Sequence, residues 1–316
     1  LGTATFTTLS NELAVAERAG KKQGEVTELY LKLKALIFLQ PQVCVKLVKD
    51  LAGKPFNTLS FTMVTGTLAA IASPEAQDAL VSLIKMRQKE PDTIVQLIPV
   101  LGMMEEPTIA SESALRDLAY RNRNEDIATT AQLSLSIMAR TVSYDDHDRA
   151  RRIIDEIIDH YGATKEQDDI HKLLLMLGNV AMDVYLPKLL AFTHDVRAEV
   201  RSSAVFALRS YPVEKVWGTL IQAVTSDRDA TTRREAARAL GFLRADEKSI
   251  AALTSVYNSE KIMEIRLEVL KSLWKWEKSH PEIRRLVRQA AEQDESEDLR
   301  TAVKGMMNVY SEEYFR

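Results

Sequence analysis

A single cysteine in 316 residues removes several kinds of chemistry at the outset. Cys44 has no second thiol to pair with, so an internal disulfide and a multi-thiolate metal site are both excluded. It leaves the compartment open between cytoplasmic, periplasmic and secreted. Its surroundings, Gln-Val-Cys-Val-Lys-Leu-Val, form an apolar stripe in which a thiol is inert packing rather than a nucleophile. Glycine is scarce at 11 positions and aromatics make up 6%, a composition that suits long helices better than sheets or disordered chain. No Gly-rich phosphate loop and no Gly-x-Ser-x-Gly turn occurs. Long apolar runs are missing too, since residues 29–39 are interrupted by Lys32 and Lys34, so no transmembrane segment is expected. Neither charge sign dominates: the net charge is −3, and residues 196–316 carry 21 basic against 19 acidic side chains. Acids are interleaved with the arginine clusters at 228–238 and 284–288, which argues against a nucleic acid partner. The opening Leu-Gly-Thr-Ala-Thr has no initiating methionine, basic segment or apolar signal core. It reads as the start of a mature or excised piece of a longer chain.

What is present is a pattern that returns four times between Asp195 and Met307. In each copy an acid stands six positions before an arginine: Asp195/Arg201, Asp227/Arg233, Glu260/Arg266 and Asp294/Arg300. Apolar residues follow three and seven positions later, and the arginines are 32, 33 and 34 residues apart. A period of that size is the mark of a helical repeat array, in which each unit buries its apolar face on its neighbours. Breakers and caps divide the rest in the same rhythm: Ser73-Pro74, Glu90-Pro91, Glu106-Pro107, residues 122–124, Gly162, Gly178, Pro212 and Pro281. They predict second helices of successive pairs near 57–71, 91–104, 124–140, 165–179, 196–210, 229–242, 261–276 and 295–310, after N-terminal helices at 25–40 and 42–51.

The expected fold is therefore all-α, an α-solenoid of about eight antiparallel helix pairs plus N-terminal helices. It is read as one continuous array over 1–316: N-terminal helices in 1–56, degenerate repeats in 57–182 and regular repeats in 183–316. In the degenerate part Ile170 stands where an arginine would be. The runs Asp227-x5-Arg233-x2-Ala236-x3-Leu240-Gly241 and Asp195-x5-Arg201-x2-Ala204-x3-Leu208 resemble HEAT repeats over about 183–310. That resemblance implies a right-handed superhelix with the second helices on its concave side. A weaker resemblance covers about 58–142, carried by residues 68–84 and by Leu101-Gly-Met-Met-Glu-Glu-Pro107-Thr108. It is to the helical domain of the large lipid transfer proteins, the vitellogenin and microsomal triglyceride transfer group, and implies a lipid-handling alternative.

The acid–arginine ladder (Asp195, Arg201, Asp227, Arg233, Glu260, Arg266, Asp294, Arg300) is read as structural, each arginine donating charge-assisted hydrogen bonds to its own or a neighbouring acidic group. Glu156 and His160, four apart on one helical face, together with His147 and His171, could make a carboxylate–imidazole site. A solvated acidic helix edge explains them more simply. HEAT-like enzymes of the deoxyhypusine hydroxylase kind carry His-Glu dipeptides, and here no histidine precedes a glutamate. The expectation is thus a chain with no catalytic or metal residues and no cofactor.

The register assigns positions outside the core stripes to a groove: Ser203, Phe206 and Ser210, then Glu235, Arg238 and Phe242, then Glu264, Glu268, Lys271 and Lys275. Mixed charge with scattered aromatics suits a protein or peptide partner better than a polyanion. Met306, Met307, Tyr310, Tyr314 and Phe315 are expected to cap the last repeat. The functional expectation is a non-catalytic protein-binding scaffold, with the helical domain of a lipid-binding or lipid-transfer protein as the alternative.

Overall fold

The computed structural model describes residues 2–162 and 164–312, and every regular element among them is helical. Two compact units, Leu1–His160 and Tyr161–Arg316, divide the chain. The first holds α1 (Gly2–Arg18), α2 (Thr27–Leu39), α3 (Val43–Asp50), α4 (Leu59–Ile71), α5 (Pro74–Met86), α6 (Pro91–Gly102), α7 (Ile109–Arg121), α8 (Glu125–Val142) and α9 (His147–Tyr161). The second holds α10 (Gln167–Val180), α11 (Leu186–Phe192), α12 (Ala198–Ala207), α13 (Val213–Ser226), α14 (Ala230–Leu240), α15 (Glu247–Ser259), α16 (Met263–Trp274), α17 (Pro281–Gln293) and α18 (Glu297–Glu312). The even-numbered helices from α4 onward are the second helices that the breakers predict. Tyr314, Phe315 and the side chain of Tyr310 lie outside the described residues.

Local chemistry explains the boundaries. Ser73 accepts a hydrogen bond from the Ala76 amide, and Pro74 occupies the first turn, where an amide would have no partner in the helix. Thr58, Thr108, Asn124, Asp229 and Asp246 cap α4, α7, α8, α14 and α15 through their side-chain oxygens. At the other end, α4 and α10 both close on an alanine in the left-handed region, Ala72 at φ 53° and Ala181 at φ 51°. An alanine Cβ is strained there, so packing on either side must hold it.

Within the second unit α10 packs on α12, α12 on α14, α14 on α16 and α16 on α18, while α11, α13, α15 and α17 each lie against the second helix that follows. In the first unit α2 packs on α4, α4 on α6 and α6 on α8, with α3 on α5 and α5 on α7 beside them. A helix gripped from two sides needs more than one apolar stripe. In α16 that demand buries Ile265, Val269 and Leu273 together with Leu270, each worth about 1.5–3 kcal/mol when fully removed from water. In α4 it buries Thr65 and Thr67, whose hydroxyls are satisfied by donating to the carbonyls of Phe61 at 2.8 Å and Met63 at 2.7 Å.

Two glycines mark how closely the second helices approach in the second unit. A Cβ on Gly178 would lie 2.7 Å from the Ala207 carbonyl oxygen, and one on Gly241 would lie 2.9 Å from the Ser272 Cα. Both contacts are with backbone of the next second helix, which cannot rotate away.

Candidate interaction surface

The arginines set the register of the surface. Arg201 places Nε and Nη2 at 2.9 Å from the two carboxylate oxygens of Asp227, in the following turn. Its Nη1 donates to the carbonyl of its own turn, Asp195, at 3.0 Å. Arg233 repeats this with Glu260 at 2.8 Å and the Asp227 carbonyl at 2.9 Å, and Arg266 with Asp294 at 2.8 Å and the Glu260 carbonyl at 3.3 Å. Each of these three arginines therefore binds its own acid only through the backbone and directs its charge to the acid one repeat ahead, Arg266 also meeting Glu295 at 3.0 Å. Each acid in turn accepts amides at the start of a helix: Asp227 from Asp229 at 2.8 Å, Glu260 from Ile262 at 3.1 Å, Asp294 from Ser296 at 2.9 Å.

The ladder is incomplete at both ends. Asp195, which would take an arginine at the place of Ile170, instead closes on Arg197 with two 2.9 Å bonds. Arg300 donates to the carbonyls of Asp294 and Glu295 and, among the described residues, has no carboxylate partner. The acids hold their charge strongly. Arg201's hydrogen bond holds the Asp227 carboxyl below its usual range. Burial is the largest single influence at Glu260 and Asp294 and works against ionisation. The arginine hydrogen bonds and charges together with the accepted backbone amides, and at Asp294 the Tyr257 hydroxyl, outweigh it and both are lowered.

A second tie lies at the far end of the same helices. Ten residues past Arg201, buried Tyr211 donates to the carbonyls of Leu177 and Met182, both at 3.3 Å. Ten past Arg266, Trp276 donates from Nε1 to the Leu243 carbonyl at 3.2 Å. The sequence reading places Trp276 in an apolar stripe and passes over Tyr211. The shared offset from the arginines was the available signal.

With both ends of α12, α14 and α16 tied, the groove positions take defined places. Phe242 is 53% exposed and meets half-buried Phe206 edge to face, with centroids 6.0 Å apart and an interplanar angle of 77°. Each ring is covered by a cation from the next repeat at the same register: Arg238 over Phe206 at 4.6 Å, Lys275 over Phe242 at 4.0 Å. Arg209, which the sequence reading passed over, lies 4.3 Å from the Phe206 centroid. These are cation–π contacts at the distances where the ring quadrupole attracts a charge. Desolvation lowers the Lys275 pKa, and the positive charge of Arg238 pushes the same way, while Glu268 opposes both.

Other positions differ from the expected open groove. Ser203 is buried, donating to the Glu199 carbonyl at 2.8 Å and sharing a 2.6 Å hydrogen bond with His171 Nδ1. A side chain too short to pass its own helix is covered by the neighbouring one. Ser210 is half-buried, in the 3-10 turn Leu208–Ser210 that follows α12. Glu235 is only 14% exposed in its side chain, contacting Arg238 at 3.4 Å and Arg234 at 3.5 Å. Glu268 is half-buried beside Lys271 at 4.0 Å, and Glu264, Lys271 and Lys275 are exposed.

The histidine candidates separate on inspection. Glu156 pairs with Arg116, and His160 packs edge-on against Tyr120 at 5.6 Å. Among the described residues no three His, Cys, Asp or Glu side chains are placed to hold a metal ion. Cys44 is buried, which pushes its thiol up to about 11. No helix among the described residues is long and apolar enough to cross a membrane.

The tied second helices and the acid–arginine period define a class, and comparison with known families agrees: residues 186–274 match the model for HEAT repeats. Residues 186–274 therefore carry HEAT-type repeats, and the regular elements of the described residues are all helical. Comparison with curated proteins finds no match. Among solved structures, Escherichia coli YibA is similar at 17% identity over 90% of this chain and 97% of that one, with a TM-score of 0.43. Human deoxyhypusine hydroxylase in complex with glycerol is similar at 17% identity over 76% of this chain and 99% of its own, at 0.30. The karyopherin Kap121p bound to the SUMO protease Ulp1p is similar at 14% identity over 93% of this chain and 32% of that protein, at 0.39. Likenesses at these scores bear on neither partner nor activity.

Proposed function

We propose that the protein is a non-catalytic scaffold and that α12, α14 and α16 present the face that binds a protein or peptide partner. The observation that carries this reading is the exposed Phe242, braced by Phe206 and covered by Lys275. An aromatic ring held in one orientation next to charged groups loses little freedom on binding, which is why aromatics and arginine dominate binding hot spots. Stacking a phenylalanine and two cations in solvent does nothing for the core, which Ala236, Ala237, Ala239 and Leu240 of the same helix already fill.

The test compares the proteins retained by wild type with those retained by Phe242→Ala combined with Arg238→Ala. A control substitution, Arg121→Ala, sits on the exposed side of α7 in the other unit. Specific loss with the first variant supports the reading, and an unchanged set of bound proteins rejects it. Native mass spectrometry addresses the lipid-binding alternative, because co-purifying lipid would replace the scaffold reading.

A further inference from the structure

The cations on this face are unevenly engaged. Among the described residues Lys275 makes no ion pair within 4 Å; its ammonium rests on the Phe242 ring, while Glu268 lies 4.0 Å from Lys271 and acts on Lys275 only from further off. Arg238 touches Glu235 through a single long contact of 3.4 Å, and Glu235 is shared with Arg234. At the C-terminal ends of α12, α14 and α16, where Arg209 also lies, cations outnumber carboxylates. Glu199 and Glu264 stand at the opposite ends of their helices.

Resting on the reading of this face as a protein-binding surface, we propose that Arg238, Lys275 and Phe242 form a docking site for an acidic segment of a partner protein. One carboxylate of that segment takes the two cations, and an adjacent apolar side chain takes the exposed face of Phe242. Three features lead there. The two cations cover neighbouring rings that touch each other, so one anion can serve both. Desolvation of Lys275 and the nearby charge of Arg238 are offset only in part by Glu268 in the free protein, and a bound carboxylate adds to that relief. Phe242 offers open apolar surface beside the charge rather than apart from it, an arrangement that gives a charge pair a partly dry setting in which it is worth more than in water. A basic segment would meet the same two cations as repulsion.

Fluorescence anisotropy with labelled peptides of Glu-Phe-Ser, Gln-Phe-Ser and Lys-Phe-Ser repeats tests this. Wild type should bind the Glu peptide about tenfold more tightly than the Gln peptide and reject the Lys peptide, about what one partly desolvated charge pair provides. Arg238→Gln with Lys275→Gln, both exposed positions, should abolish the difference between the Glu and Gln peptides, with circular dichroism melts showing the fold intact. Phe242→Ala should weaken both. Equal binding of Glu and Gln peptides to wild type, with loss on Phe242→Ala, overturns the acidic preference and leaves the scaffold reading standing. Failure of all three peptides to respond to Phe242→Ala overturns both.

Discussion

The two units meet the same packing demand with different polar chemistry. In Tyr161–Arg316 an arginine is reused repeat after repeat, binding its own turn through a carbonyl and the next through a carboxylate. In Leu1–His160 the ties are individual. Gln77 is fully buried and uses both donors and both acceptor positions: its amide donates to the Ala72 and Glu106 carbonyls, and its oxygen accepts from the Thr108 amide and the Ser111 hydroxyl, all within 2.6–2.8 Å. Arg87 donates to the carbonyls of Leu51 and Lys54, and Arg149 bridges Glu112 at 2.6 Å and the Pro107 carbonyl at 2.9 Å. Both units keep the apolar period. The comparison teaches that apolar spacing builds the stack, while the polar residue need only satisfy whatever buried backbone groups each turn leaves over.

The sharpest way to break this equivalence is to remove one tie from each unit. Arg266→Ala takes the cation from the Asp294 carboxylate, both side chains being 5% exposed, and leaves it only the Ser296 amide and the Tyr257 hydroxyl. It should cost about 3 kcal/mol, the range for breaking a buried pair. Gln77→Ala should cost about 2–3 kcal/mol by leaving two carbonyls and an amide unpaired. Urea unfolding gives the totals. Hydrogen exchange should place the first loss in α16–α18 and the second in α5–α7; unchanged exchange in α16–α18 would make the ladder ornamental.

Next come Gly178→Val and Gly241→Val, each expected to cost about 2 kcal/mol because the new side chain meets neighbouring backbone. A cost near zero would show that the second helices slide to make room.

Acid should then separate the units without mutation. Asp195, Asp227, Glu260 and Asp294 have folded pKa values below their ordinary ones, against Glu17 in the first unit. A depressed carboxylate releases its proton more readily folded than unfolded. Its contribution is therefore complete above the unfolded value near about 4 and is lost as pH falls through the folded one. Exchange protection measured down to about pH 3 should fall further in the second unit, since the Gln77 clip does not titrate. Equal losses would contradict the contrast.

The smallest effect should be the same in both units. Ala72→Gly and Ala181→Gly relieve a left-handed backbone and should each stabilise by about 0.5 kcal/mol, the strain removed less the added freedom of the unfolded chain. Thermal melts resolve a gain of this size if the variants are combined.

The candidate surface was partly legible beforehand. Phe206, Arg238, Phe242 and Lys275 follow from counting along the repeat, but Ser203 does not belong with them, because its burial depends on His171 from α10. Arg209 and Tyr211 lie just past α12 and have partners about thirty residues earlier in the chain, so only Tyr211's offset from Arg201, shared by Trp276 and Arg266, offered a signal.

By itself the sequence determined the period, the helices and the residue types of the ladder. These depend on turn signals and on apolar spacing within a few residues, where the geometry of a helix leaves little choice. Only the tertiary structure decided that Arg201 takes Asp227 rather than the carboxylate of Asp195, that Asp195 falls to Arg197 in its place, and that each phenylalanine of the face is covered by a cation from the next repeat. Apart from the local Asp195–Arg197 pair, which forms where no arginine arrives from the previous repeat, those pairings join residues about a repeat apart, and they exist only once neighbouring helices have buried their apolar stripes against each other.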